Sequence, residues 1–210
     1  MWPAFSFDER VSYNMDMNQL IVEQRITPLV NRYEIYEVSN GTKGAMISFV
    51  EQKRLAFKEE IHFYTDKTKQ SLAFRVKAEK VMDVHGKFLV TDDSGNVIGW
   101  TRKAFKASLL RSTWQLSNNQ QQMTVTEKSQ AFAIFRRVWG FMPFIGDLPF
   151  VFKYHFIFQD ETGATAAEYI KTTRLRDHYE LHPINHELLD TFDWRILAAQ
   201  CVLLDALQDR

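Results

Sequence analysis

The sequence predicts a mainly β fold: a closed antiparallel barrel of about twelve strands around a buried hydrophobic C-terminal helix. Three observations predict it. Most of the chain alternates apolar and polar residues with the period of two that a half-buried strand requires. Clusters rich in Gly, Asn, Asp and Ser (SNGTKG, TDKTKQ, DDSGN, SNNQQQ, QDETGA) interrupt the alternation at hairpin spacing. The last segment, Trp194–Leu207, reads as one helix with no wet face. Its polar residues Arg195, Gln200 and Asp205 are five apart, and a five-residue step turns about 140° around a helix. A helix that is apolar on every side needs sheet on every side. Eight strands leave room only for side chains, whereas a helix needs ~10 Å or more, which about twelve strands would provide. Gln200 and Asp205 are then expected to find partners in the wall or near its mouth, because an unpaired buried polar group is destabilising.

The elements follow in order. NQLIVEQRI, RYEIYEV and AMISFVEQ open the chain's strand content. EIHFYTD sets Ile61 and Phe63 against His62 and Tyr64, and SLAFRVKAEK sets Leu72, Phe74, Val76 and Ala78 against Ala73, Arg75, Lys77 and Glu79. KFLVTD, VIGWTR, RSTWQL and MTVTEK come next. KSQAFAIFRRVWG departs from the rhythm: Phe132, Phe135 and Trp139 recur at helical spacing, so a short amphipathic helix ended by Gly140 is expected. FVFKYHFIFQ, AAEYIKTT and HYELH complete the strands, and the helix, about 194–208, closes the chain. No repeat or linker divides residues 1–210, which read as a single domain.

Of 210 residues, 45% are hydrophobic and 17 are Phe, which places the chain among globular proteins. Lys+Arg and Asp+Glu both number 26, so no global charge points to nucleic acid. The distribution is uneven: residues 102–137 hold seven Lys/Arg against one acid, and residues 177–210 hold seven acids against two Arg. The single cysteine, Cys201, lies within the apolar helix and cannot form an internal disulfide. The N-terminus MWPAFSFDERV lacks the pattern of a signal peptide. The terminal helix would cover only about 21 Å of a ~30 Å hydrocarbon core. A cytoplasmic setting is therefore expected.

Catalytic and metal patterns are weak. DDSGNV places Asp92, Ser94 and Asn96 at calcium-loop spacing, but Val97 and Lys103 stand where Gly and Glu belong, so a hairpin turn is expected. His182 and His186 are four apart, yet Pro183 intervenes, so a loop with solvated histidines is expected. No nucleophile elbow or phosphate loop is present. The expectation is a protein without enzymatic activity, cofactor or metal. Two surfaces remain. The cations Arg75, Lys77, Arg102, Lys103 and Lys106, with Arg111 beyond, form a candidate site for phosphate head groups; the plainer reading is outer-face solvation. Phe135, Arg136, Arg137, Trp139 and Phe141 form a candidate membrane-interface segment; the plainer reading is that they brace one end of the barrel.

Three segments carry a family resemblance. They are LAFRVKAEKVMDVHGKFLVTDDSGNVIGWTRKAFKASLLRSTWQL, then GDLPFVFKYHFIF followed by RLRDHYEL, and the terminal DWRILAAQCVLLDAL. In this order they resemble the tubby C-terminal-like superfamily, in its phospholipid scramblase-related and LURP-one-related branch, from about Gln19 to Leu207. The resemblance implies a twelve-stranded barrel around a buried C-terminal helix. Tubby domains hold phosphoinositide head groups through basic residues on the barrel, at positions that do not align with this sequence. The palmitoylated cysteine-rich segment and acidic calcium loop of scramblases have no counterpart here. The expected function is a non-enzymatic binding module, with anionic phospholipid head groups at the cytoplasmic membrane surface as candidate ligand. The alternative is a protein-interaction or regulatory scaffold without a lipid role. A small-ligand barrel is disfavoured because the helix fills the interior.

Overall fold

The computed structural model describes residues 19–26, 30–39, 41–53, 60–79, 86–104, 112–128, 155–172 and 177–207. Twelve strands form: β1 Leu20–Ile26, β2 Val30–Ser39, β3 Thr42–Lys53, β4 Glu60–Tyr64, β5 Leu72–Ala78, β6 Lys87–Asp92, β7 Val97–Lys103, β8 Thr113–Ser117, β9 Gln122–Glu127, β10 His155–Asp160, β11 Thr165–Lys171 and β12 Asp177–Pro183. Each runs antiparallel to its sequence neighbour, and β1 pairs with β12 to close the barrel. Two helices follow, α1 His186–Asp190 and α2 Trp194–Ala206. The predicted amphipathic helix in 128–140 lies outside the described residues.

Closure is the consequence of the period of two. Along β5, Phe74 and Val76 are buried while Lys77 is exposed; along β12, Tyr179 and Leu181 are buried between half-buried partners. Every strand therefore has one apolar face, and wrapping the sheet on itself buries all twelve such faces.

What fills the barrel is α2. Residues Ile196–Leu204 are all buried, the polar Gln200 among them. Its contacts come from opposite walls. On one side are the Tyr33 hydroxyl of β2 and the Tyr179 hydroxyl of β12, which donate to Asp205 at 2.8 and 2.5 Å. On the other are Thr101 of β7, whose hydroxyl donates to the Gln200 carbonyl oxygen, and Phe74 of β5, edge-on to Trp194. Gly99 of β7 lets the wall approach the helix: a Cβ there would meet the Ser117 carbonyl and the Ile196 side chain. The expected partners of Gln200 and Asp205 are thus in place, although the Gln200 amide nitrogen has no acceptor among the described residues.

Asp193 caps α2 by accepting from the Arg195 amide at 2.9 Å, and its carboxylate also holds the Arg195 guanidinium at 2.6 Å. The expectation of a loop after β12 is corrected. His182 lies on β12, one residue before its last, with Glu180 3.1 Å away, and His186 opens α1, capped by the Asn185 side chain. The two histidines therefore sit on different elements and do not share a helix face.

Candidate functional site

The outer face of β5, β6 and β7 gathers the basic residues that the sequence singled out, in an altered set. Alternation on β7 places Trp100 and Arg102 outward and Gly99 and Thr101 inward. Register then sets Lys77 opposite Leu89, Leu89 opposite Trp100, and Lys87 opposite Arg102. The Trp100 ring receives two cations: the Arg102 guanidinium carbon lies 5.2 Å and the Lys87 ammonium 5.4 Å from its centroid, within cation–π range. Arg102 is oriented by donating to the Gln115 side-chain oxygen at 2.8 Å. Lys87 faces Glu79 only at 3.6 Å. Lys77 is exposed and makes no ion pair with any described residue. Lys87 and Arg102 therefore flank a half-buried indole, and Lys77 stands two strands away on the same outer face.

The other predicted members divide. Arg75 lies on the same outer face, one pleat further along β5, but it is occupied: Nε donates to Thr91 at 3.1 Å and the guanidinium faces Glu60 at 3.6 Å. Lys103 follows the inward series of β7, with its ammonium 5.9 Å from the buried Trp114 ring, so it does not share a face with its neighbour Arg102. The strand bearing Arg102 is also two strands from β5, not beside it. Lys106 and Arg111 lie outside the described residues, as do Phe135, Arg136, Arg137, Trp139 and Phe141. Lys87 and Trp100 were not among the predicted site residues. The signal that could have found Trp100 is its place two residues before Arg102 on one strand, which fixes a common face.

The remaining candidates form turns and pairs. Asp92 accepts from the Asn96 amide at 2.7 Å and its side-chain nitrogen at 3.0 Å, closing the β6–β7 hairpin. Those bonds from Asn96 hold the carboxylate below its ordinary range. Among the described residues, no group of three or more His, Cys, Asp or Glu is arranged to hold a metal ion. His155 meets Glu168 at 2.9 Å and His178 meets Glu180 at 3.2 Å. Cys201 is fully buried, and burial pushes its thiol well above the ordinary value, so it is protonated and inert at neutral pH. Among the described residues, no helix is long and apolar enough to cross a membrane.

A closed twelve-stranded barrel filled by its own C-terminal helix has the tubby-like architecture. The chain belongs to the LURP-one-related family of that superfamily, whose profile matches residues 46–205. No curated protein and no solved structure matches the chain.

Proposed function

We propose that the protein is a non-enzymatic module that binds anionic phospholipid head groups, peripherally, at the cytoplasmic surface of a membrane. The observation that carries the reading is the placement of Lys87 and Arg102 around Trp100, with Lys77 two strands away on the same outer face. Cations with free donors can bind phosphate oxygens by charge-assisted hydrogen bonds, and an indole suits the polar boundary of a bilayer. The buried helix supports a role for the outer wall, since it occupies the volume that an enclosed substrate would need. The kinship with phospholipid scramblases suggested by the order of the three sequence segments is part of the same proposal.

Liposome flotation tests it. With vesicles of increasing anionic fraction, the floated fraction rises at low salt and falls as salt is added. Replacing both Lys87 and Arg102 by Gln weakens binding by about tenfold or more, at ~1 kcal/mol per cation near the surface. Absence of flotation at low salt and high anionic content would remove the reading.

A second reading, a protein-interaction scaffold, is favoured by one observation. Among the described residues, β3 pairs with β4 only at Phe49 and Val50, so Thr42–Ile47 present an edge with no described strand beside it. An extended segment of a partner protein can add to such an edge.

A further inference from the structure

The twelve seams between neighbouring strands are not equal. Among the described residues β3 faces β4 at two opposed pairs, Phe49–Tyr64 and Val50–Phe63, whereas each of the other eleven seams holds at least four. Both strands continue past the second pair, β3 to Lys53 and β4 back to Glu60, without another opposed pair. On its other side β4 is fully engaged, since all five of its residues pair with β5. One side-chain bond supplements the thin seam: the Ser48 hydroxyl donates to the Tyr64 carbonyl at 3.1 Å.

The β4–β5 turn, 65–71, bridges this seam on the outside. Its Lys67 ammonium reaches past β3 to Glu34 of β2 at 2.9 Å, and its Lys69 ammonium meets Glu51 of β3 at 3.0 Å. Both acids are anchored on the β2–β3 side. Glu34 accepts from the Tyr36 hydroxyl at 2.5 Å and faces Arg25 at 3.6 Å, and Glu51 holds Arg32 of β2 at 2.8 Å. The turn has a fixed shape of its own. The Thr65 amide donates to the Ser71 carbonyl at 3.0 Å, and the Thr68 amide donates to the Asp66 carboxylate at 2.7 Å. Lys69 has a φ of 59°, in the left-handed region where glycine is the relaxed choice. The lysine keeps there the ammonium that Glu51 binds.

We infer that the β3–β4 seam is where the barrel parts ahead of global unfolding, and that Lys67 and Lys69 form a latch that holds it shut. Parting separates the β2–β3 hairpin from the β4–β5 hairpin, and each keeps its own ladder. Few backbone bonds cross the seam, so the two ion pairs carry a large share of what closes it. Their cations are exposed, which makes the latch sensitive to ionic strength. Release extends the open edge of β3 from Thr42–Ile47 to the whole strand, Thr42–Lys53. The latch stands whichever of the two functional readings holds.

Native-state hydrogen exchange tests it. In an antiparallel ladder one of two successive opposed pairs exchanges its N–H bonds across the seam. Two of the amides of Phe49, Val50, Phe63 and Tyr64 therefore report on the seam, and Phe74, Val76 and Leu181 report on the rest of the wall. The seam amides exchange faster than those of the wall, with little dependence on denaturant. Lys67→Met with Lys69→Met speeds their exchange by about fivefold or more, the upper range for a single exposed ion pair. Added salt speeds it in the unmodified protein and not in the double variant. Lys128→Met removes an ion pair to Glu168 that parting of this seam does not break, so the seam amides keep their rate. Seam amides with the exchange free energy and denaturant slope of Phe74 would overturn the parting seam. A seam that opens locally but responds neither to the double variant nor to salt overturns the latch.

Discussion

Two acids define the energetics of single residues. Asp205 sits near the C-terminal end of α2, where the helix dipole is negative and a carboxylate is unfavourable. The hydroxyls of Tyr33 and Tyr179 offset this by donating to its two oxygens, and Tyr169 stacks on Tyr179 with ring centroids 5.4 Å apart. A hydrogen bond to a charged group contributes ~1.5–3 kcal/mol. Tyr179→Phe should therefore lower unfolding stability by about that amount, read as a fall in the denaturant midpoint with an unchanged slope. Glu34 is the second acid. It faces outward yet its side chain is only 4% exposed. Burial raises its pKa, but the Tyr36 hydroxyl at 2.5 Å, the Lys67 ammonium at 2.9 Å and the charges of Lys67 and Arg25 outweigh burial and lower it below the ordinary 4.5. A depressed folded-state pKa gives stability that is present above the unfolded value and is lost as pH falls through the folded one. Stability should thus decline as pH drops below about 4.5, and Glu34→Gln should flatten that part of the profile in pH-dependent melts. At this scale the sequence was only partly legible. Arg102 and Lys103 look alike as neighbours, but strand alternation sends them to opposite faces. The inward series Gly99–Thr101–Lys103 has no apolar residue to announce which face is inside.

Elements were legible where burial and periodicity agree. All twelve strands form within a few residues of the segments that alternate, and the helix begins at the predicted Trp194 and ends at Ala206. α1 escaped notice because five residues are too few to show a helical period, and its signal is the single capping residue Asn185. Cross-strand neighbours were not legible either. That Lys87 stands opposite Arg102 depends on register, which pairing of the folded sheet sets. One residue couples strand to helix. Gly99 leaves no space for a Cβ between the Ser117 carbonyl and Ile196. Gly99→Ala must push β8 or α2 outward, and overpacking of this kind costs about 1–3 kcal/mol. The expected result is a lower melting temperature with strand content unchanged by circular dichroism.

The whole molecule explains why a helix with no wet face is stable at the end of this chain. The barrel replaces solvent along its buried stretch, Ile196–Leu204. Closure was predictable because an apolar cylinder must be surrounded. Native-state hydrogen exchange tests that architecture most directly. If α2 is enclosed, the amides of Ala199–Leu204 open only when the barrel opens. Their exchange free energies should equal those of Phe74, Val76 and Leu181, with the same steep dependence on denaturant. Exchange of α2 by a low-energy local opening with little denaturant dependence, while those strand amides stay protected, would place the helix outside the sheet and contradict the account.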